Sequence, residues 1–112
     1  MKLSPIINAT CSVLDVQASD VRGTGRNERV VLAREIITLL ARDAGAGYQT
    51  IAAAIRSGRR MHTTCMAAYR RAERRCKDER GVEFLGQPHG AEFRLLVRAV
   101  CGRLNGSEGR AE

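Results

Sequence analysis

The stretch that decides the fold is residues 48–80, which read YQTIAAAIRSGRRMHTTCMAAYRRAERRCKDER. Its first part, 48–55, predicts a short helix, because Ile51 and Ile55 lie one turn apart with helix-favouring alanines between them. The segment RSGRR that follows predicts a turn. Residues 61–80 predict a longer helix with one apolar side. A short helix, a tight turn and a longer helix are the arrangement of a helix-turn-helix.

The longer predicted helix separates apolar from basic side chains. Helical spacing predicts that its buried stripe consists of Cys65, Ala68, Tyr69, Ala72 and Cys76. The opposite side holds Thr63, Ala67, Arg70 and Arg74, flanked by Arg71 and Arg75. Such a helix can pack one side against a core while the other side enters a groove of DNA.

Three more helices are predicted before this motif. Ser4 followed by Pro5 marks a helix start, since serine caps free amide groups and proline fits the first turn. Residues 15–21 predict a short second element, and a basic loop with glycines comes after it. Residues 30–43 predict an amphipathic helix that ends before Gly45. Its apolar side holds Leu32, Ile36, Leu39 and Leu40, broadened by Ala33 and Ile37, and its outer stripe holds Arg34, Thr38 and Arg42.

A last helix is predicted over 91–104, with an apolar face that comprises Phe93, Leu96, Val97, Val100 and Leu104. No run of residues alternates with a period of two, so we expect no sheet. A chain of 112 residues suits one hydrophobic core. We therefore predict an all-α fold, a compact multi-helix bundle with a helix-turn-helix and an extra C-terminal helix. Residues 1–104 would form the single domain, and 105–112 a flexible tail.

The positive charge of the chain is concentrated in its middle. The formal net charge is +7, and residues 22–80 hold fourteen arginine or lysine residues against six aspartate or glutamate residues. A local excess of this kind attracts polyanions such as nucleic acid, acidic lipid or an acidic protein surface. Nearly all of the excess is arginine, whose planar fork fits phosphate oxygens and guanine edges, which favours nucleic acid.

Several other classes of function lack the residues that they need. Cys11, Cys65, Cys76 and Cys101 are dispersed, without the clustered ligands of a zinc site, so we expect reduced core cysteines and no metal or other cofactor. No nucleophile with its base, carboxylate dyad or phosphate loop is visible, which predicts that the protein is not an enzyme. No signal peptide or membrane span is visible either, so a cytoplasmic, nucleoid-associated location and no membrane partner are expected.

The start of the longer helix supplies side chains that suit base reading. Small polar groups in a first turn can reach base edges, while arginines around it hold phosphates. That turn holds Met61, His62, Thr63 and Thr64, and the surrounding arginines are Arg59, Arg60, Arg70 and Arg74. A structural alternative stays open for each of them. His62 and the threonines could cap the helix, and the arginines could form a solvated face.

The sequence Arg60-Met61-His62-Thr63-Thr64, preceded by Ile51-Ala52-Ala53-Ala54-Ile55, resembles the C-terminal DNA-binding domain of the bacterial replication initiator DnaA. The resemblance covers about residues 7–75 without a gap in register upstream of the turn. It implies the fold of that domain, which is related to that of the Trp repressor.

The resemblance also implies roles for individual residues. His62, Thr63 and Thr64 would contact bases in the major groove, and Arg26 would reach the adjoining minor groove. Arg34 and Arg42 would hold phosphates. Together with the residues around the first turn, this places Arg60 and Met61 at bases as well, and Arg59, Arg70 and Arg74 at phosphates. The family usually has aspartate where this chain has Met61, and methionine cannot accept a hydrogen bond from a base amino group as a carboxylate does. We therefore expect a target that differs from the standard DnaA box.

The sequence has no G-x-x-x-x-G-K-[ST] loop, so the ATPase part of DnaA has no counterpart in it. By analogy, we expect a stand-alone transcription regulator of bacteria or phages, of the kind found in phages, prophage remnants and gene transfer agents. Its partner would be double-stranded DNA, together with RNA polymerase or another transcription factor. Two alternatives stay open: an adaptor that uses the DnaA-like fold to bind protein or RNA, and a replication accessory that competes with DnaA.

Overall fold

The computed structural model describes residues 3–23, 27–55, 62–77 and 90–109. These residues form six helices and, within the described ranges, no strand: α1 (Ser4–Leu14), α2 (Ala18–Arg22), α3 (Glu28–Asp43), α4 (Tyr48–Ile55), α5 (His62–Lys77) and α6 (Gly90–Gly109). The predicted all-α bundle is confirmed.

Helix α3 lies at the centre of the bundle. It packs against α1, α2, α4 and α5, while α6 packs across α1 and α5. Ala33, Ile36 and Ile37 of α3 have no exposed surface, because neighbours cover this helix on several sides. Among the residues that the structure describes, the buried core consists mainly of aliphatic side chains, together with the fully buried ring of Phe93 of α6. Helix α6 therefore belongs to the same core as the helices before it.

Helix α1 begins one residue earlier than its sequence predicts. Ser4 is the first helical residue, and Leu3 occupies the cap position without a side-chain hydrogen bond, so the prediction of a serine cap is wrong. The amide of Ile7 donates to the Leu3 carbonyl at 3.0 Å, which extends the helical bonding by that residue. Pro5 lies in the first turn, as expected, where its missing N–H is not needed.

Helix α3 starts and ends at local signals. The side chain of Asn27 accepts a hydrogen bond from the amide of Arg29 at 2.9 Å, which caps the helix and moves its start from the predicted residue 30 to Glu28. At the other end, Gly45 has a φ of 105°, and the amide of Ala46 donates to the Ala41 carbonyl at 3.0 Å. The amide of Gly45 also donates to the Arg42 carbonyl at 3.0 Å. The two bonds form a Schellman motif, which turns the chain into α4.

Thr38 corrects the predicted outer stripe of α3. It is fully buried, whereas sequence spacing placed it on the outer side with Arg34 and Arg42. Its hydroxyl donates to the Arg34 carbonyl at 2.7 Å, so burial leaves no unsatisfied donor there. Neighbouring helices cover α3 on more sides than a single amphipathic stripe predicts.

The last two helices differ from their predicted bounds. Helix α5 begins at His62 and is described to Lys77, so residues 61 and 78–80 of its predicted range lie outside the described residues. Helix α6 continues five residues beyond the predicted end, to Gly109, because extending a formed helix costs far less than nucleating one. The flexibility expected of residues 105–112 stays a prediction.

Candidate nucleic-acid interface

Helices α4 and α5 pack together as the two helices of the predicted motif. Ile51 and Ile55 of α4 are buried, as predicted. The predicted stripe of α5 is also confirmed: Cys65, Ala68 and Ala72 are buried, and Tyr69 and Cys76 are half-buried. Most of these side chains are small, so α5 can approach α3 and α4 closely.

The opposite side of α5 carries exposed basic residues. Ala67, Arg70 and Arg74 are exposed, and Arg70 and Arg74 lie one helical turn apart. Lys77 extends the exposed basic surface to the end of the described helix. Because this side has little apolar bulk, α5 can lie against a polyanion there without burying a hydrophobic residue. The phosphate contacts predicted for Arg70 and Arg74 stay predictions.

The predicted base-reading turn is the first turn of α5. The helix begins at His62, and no acidic residue lies in its first turn. The first-turn amide groups, which have no partner within the helix, and the positive end of the helix dipole therefore lie there. The side chains of His62, Thr63 and Thr64 lie outside what the structure describes, as do Arg26, Arg59, Arg60 and Met61 entirely. Their predicted base and phosphate contacts stay predictions.

Arg34 connects α3 to the end of α2. Its Nε donates to the Val21 carbonyl at 2.9 Å, and its Nη2 donates to the carbonyls of Asp20 and Gly23 at 3.0 and 2.8 Å. These three oxygens lie at the C-terminal end of α2, where the helix dipole is negative. The half-buried guanidinium thus fixes the chain at Gly23, directly before residues 24–26.

Arg42 lies where α3 turns into α4. Its guanidinium carbon is 4.4 Å from the centre of the Tyr48 ring, and its Nη1 donates to the Ala46 carbonyl at 3.2 Å. Arg42 is nevertheless exposed. A cation stacked on an aromatic ring loses side-chain freedom before any ligand arrives. This arginine therefore presents a fixed charge beside the start of α4.

Tyr69 fixes α5 to the end of α3. Its hydroxyl donates to the Asp43 carboxylate at 2.7 Å, and its ring meets the Tyr48 ring edge to face at 6.2 Å between centroids. The hydrogen bond to Asp43, assisted by partial burial and by the negative charges of Asp43 and Glu73, raises the pKa of Tyr69 to about 12. Helices α3, α4 and α5 thus meet at this pair of tyrosines.

A buried carboxylate joins α3 to α5, and the sequence analysis did not find it. Glu35 is 2% exposed, and its Oε2 accepts a hydrogen bond from Nε of Arg71 at 3.2 Å. Nε of Arg75 lies 3.4 Å from Oε1, and the guanidinium of Arg75 lies over the ring of Phe93 at 5.8 Å. Arg75 is buried, whereas spacing suggested that it flanked the exposed stripe. The sequence did contain one signal for the burial of Glu35, which lies one helical turn after Leu32 on the apolar side of α3.

The described residues offer no metal site and no membrane span. No three His, Cys, Asp or Glu side chains among them converge in a way that could hold a metal ion. Within the same ranges, no helix is long and apolar enough to cross a membrane. Cys11 and Cys65 are buried free thiols, and burial raises the pKa of both. They are core residues, as predicted.

Comparison with known proteins agrees with this arrangement. A search of curated proteins found no match. Residues 3–72 match the family model of the bacterial DnaA protein helix-turn-helix, and this range spans α1 to α4 and most of α5. The match confirms the resemblance read from residues 51–64, and α6 lies outside it. The chain therefore belongs to the bacterial DnaA helix-turn-helix family, whose members bind double-stranded DNA through this domain.

Proposed function

We propose that this protein binds duplex DNA in a sequence-specific way, with α5 in the major groove, and that it regulates transcription at the sites it binds. One observation carries the proposal. Helix α5 buries a stripe of small residues and exposes Arg70 and Arg74 on the opposite side, within a domain of a DNA-binding family. That division is what a groove-reading helix requires.

The base contacts are assigned to the start of α5 and to one preceding loop. Arg60, Met61, His62, Thr63 and Thr64 would meet base edges in the major groove, and Arg26 would enter the minor groove. The start of α5 at His62 supports this assignment. The amide groups of a first helical turn favour the binding of a phosphate, and such a contact would orient this turn towards the bases. Arg34 holds Gly23 beside the end of α2, three residues before Arg26 in the sequence, and this fixed position supports the assignment of Arg26 to the interface.

The phosphate contacts are assigned to arginines around this end of the molecule. Arg70 and Arg74 on α5 and Arg59 before it would hold one strand, and Arg42 would hold a phosphate beside α4. The stacking of Arg42 on Tyr48 supports its role, because an ordered guanidinium loses less entropy on binding. Arg34 is bonded to the carbonyls of α2, and this geometry favours a positioning role over the direct phosphate contact that the sequence suggested.

The proposal is tested by selecting bound sites from random duplex DNA. We expect the selection to converge on a preferred sequence that differs from the standard DnaA box and that occurs near promoters in the source genome. Equal affinity for the selected duplex and a scrambled duplex would contradict sequence-specific binding. Retention of a protein or RNA partner in nuclease-treated lysate would instead support the adaptor alternative, and tight binding to a standard DnaA box would support the replication alternative.

Salt dependence separates phosphate contacts from other basic residues. Replacing Arg74 with alanine should weaken binding to selected and scrambled duplexes alike, and should reduce the slope of log affinity against log salt by about one. The matched control is Arg98→Ala, since Arg98 is also exposed but lies on α6, outside the proposed interface. If both substitutions change the slope equally, Arg74 contributes only general charge and its assignment fails.

A further inference from the structure

The ion cluster of Glu35, Arg71 and Arg75 joins the central helix α3 to α5. Glu35 is almost fully buried, and so is Arg75, while the side chain of Arg71 is 44% exposed. Oε1 of Glu35 accepts no hydrogen bond from the part of the chain that the structure describes. The carboxylate thus depends on the charges of both arginines.

Such a cluster is a poor source of stability but a strong constraint on position. Removing charges from water is costly, so an apolar replacement of similar size is often no less stable. Losing one partner is costly, however, because the remaining charge is left buried without compensation. Helix α5 is therefore restricted to positions in which both guanidinium groups stay near Glu35.

The spacing of the two arginines makes this constraint directional. Arg71 and Arg75 lie four residues apart, so Glu35 faces two successive turns of α5. Sliding α5 by one residue would move both groups by about 1.5 Å along the axis and lengthen at least one contact. Turning α5 about its axis would carry both groups away from Glu35. His62 lies nine residues before Arg71, roughly 13 Å along the same helix.

We infer that Glu35 is a positioning residue for DNA recognition, which sets the axial position and rotation of α5 and thereby selects the bases that its first turn reaches. This inference rests on the proposed function. Hydrogen bonds to base edges weaken steeply with distance and angle, whereas long arginine side chains can follow a phosphate through a small shift. A loosened α5 should therefore lose base preference before it loses affinity for DNA in general.

The test compares Glu35→Gln with the unaltered chain on a duplex selected for tight binding and on a scrambled duplex. Circular dichroism sets a temperature at which both proteins are fully folded. We expect the ratio of the two affinities to fall about tenfold, through weaker binding to the selected duplex. Glu28→Gln is the matched control, since it removes the same charge from an exposed position on the same helix. The ratio of its affinities for the two duplexes should stay unchanged.

A second variant keeps the test decisive if Glu35→Gln does not fold. Arg71→Gln leaves the buried Glu35–Arg75 pair in place and alters a half-exposed side chain, so the fold should tolerate it. We expect it to lower the ratio about threefold. An equal loss on both duplexes would make Arg71 a phosphate contact and would overturn the inference. So would a folded Glu35→Gln protein with an unchanged ratio.

The two proposals fail in different ways in this experiment. If the unaltered chain itself shows a ratio near one, sequence-specific binding is rejected, and the positioning role is rejected with it. If the unaltered chain prefers its selected duplex and both variants keep that preference, only the positioning role is rejected.

Discussion

Tyr69 shows how a single side chain couples the motif helix to the centre of the bundle. Its hydroxyl donates to Asp43 at 2.7 Å, and this bond requires a protonated phenol. Since the bond raises the pKa of Tyr69 to about 12, above its ordinary value of 10, folding favours the protonated form. The stabilisation is fully present below pH 10 and is lost as the pH rises towards 12.

The replacement Tyr69→Phe removes the bond and keeps the ring. We expect it to lower the free energy of unfolding by about 1 kcal/mol or less at neutral pH, because solvent screens even a hydrogen bond to a carboxylate when the bond is exposed. The difference between the two proteins should shrink between pH 10 and pH 12, because the unaltered chain loses the same bond by deprotonation. Urea unfolding across this range measures it, and a constant difference would show that the phenol–carboxylate bond contributes nothing.

Single residues also show which features of the fold the sequence does not predict. Helical spacing identified Cys65 and Ala72 as buried, because each belongs to a regular apolar stripe. It did not identify the burial of Glu35 and Arg75, since these charges are compensated by partners that lie far away in the sequence. Helical spacing also gave no sign of the bonds from Arg34 to the carbonyls of Asp20, Val21 and Gly23. Long-range pairing of polar groups leaves no periodic signal in a sequence.

At the scale of elements, the turn between α3 and α4 decides how the motif is oriented. The bounds of α4 were predicted without error, because glycines before it and a clear apolar spacing within it both leave strong local signals. The bounds of α3 and α6 were less predictable, since a cap at Asn27 and continued winding to Gly109 depend on weak local preferences. The sequence therefore predicts the turn between α3 and α4 more directly than it predicts the ends of the longer helices.

Gly45→Ala should therefore destabilise the protein although the added methyl group meets no neighbour. Gly45 has a φ of 105°, which alanine adopts only with strain, and we expect a loss of about 1–2 kcal/mol in the free energy of unfolding. The matched control is Gly47→Ala in the same turn, which also has open space but no positive φ. Chemical denaturation should show a smaller loss for this control, because Gly47 directly precedes α4 and alanine is only a less favourable cap than glycine there. Equal losses at the two positions would refute the role of backbone conformation.

At the scale of the whole molecule, the family match and the fold have different extents. The match ends at residue 72, within α5, whereas the core continues into α6 through Phe93 and Val100, both fully buried. Arg75 links the two parts, because it lies between Glu35 of α3 and the ring of Phe93. Helix α6 therefore completes the support of the helix that we propose to read DNA. A separate unit at the end of the chain would not share these contacts.

This continuity predicts that the protein unfolds as one cooperative unit. Phe93→Ala should lower the free energy of unfolding by about 3–5 kcal/mol, a large part of the stability of a small domain, because a buried ring leaves a cavity. Leu95→Ala, two residues away on the same helix but 61% exposed, should change it by no more than about 0.5 kcal/mol. Urea titrations followed by circular dichroism and by tyrosine fluorescence should give coincident transitions, since Tyr48 and Tyr69 lie in the motif and α6 shares its core. If Phe93→Ala melted α6 alone and left the tyrosine transition in place, α6 would be an appendage and its support of α5 would be disproved.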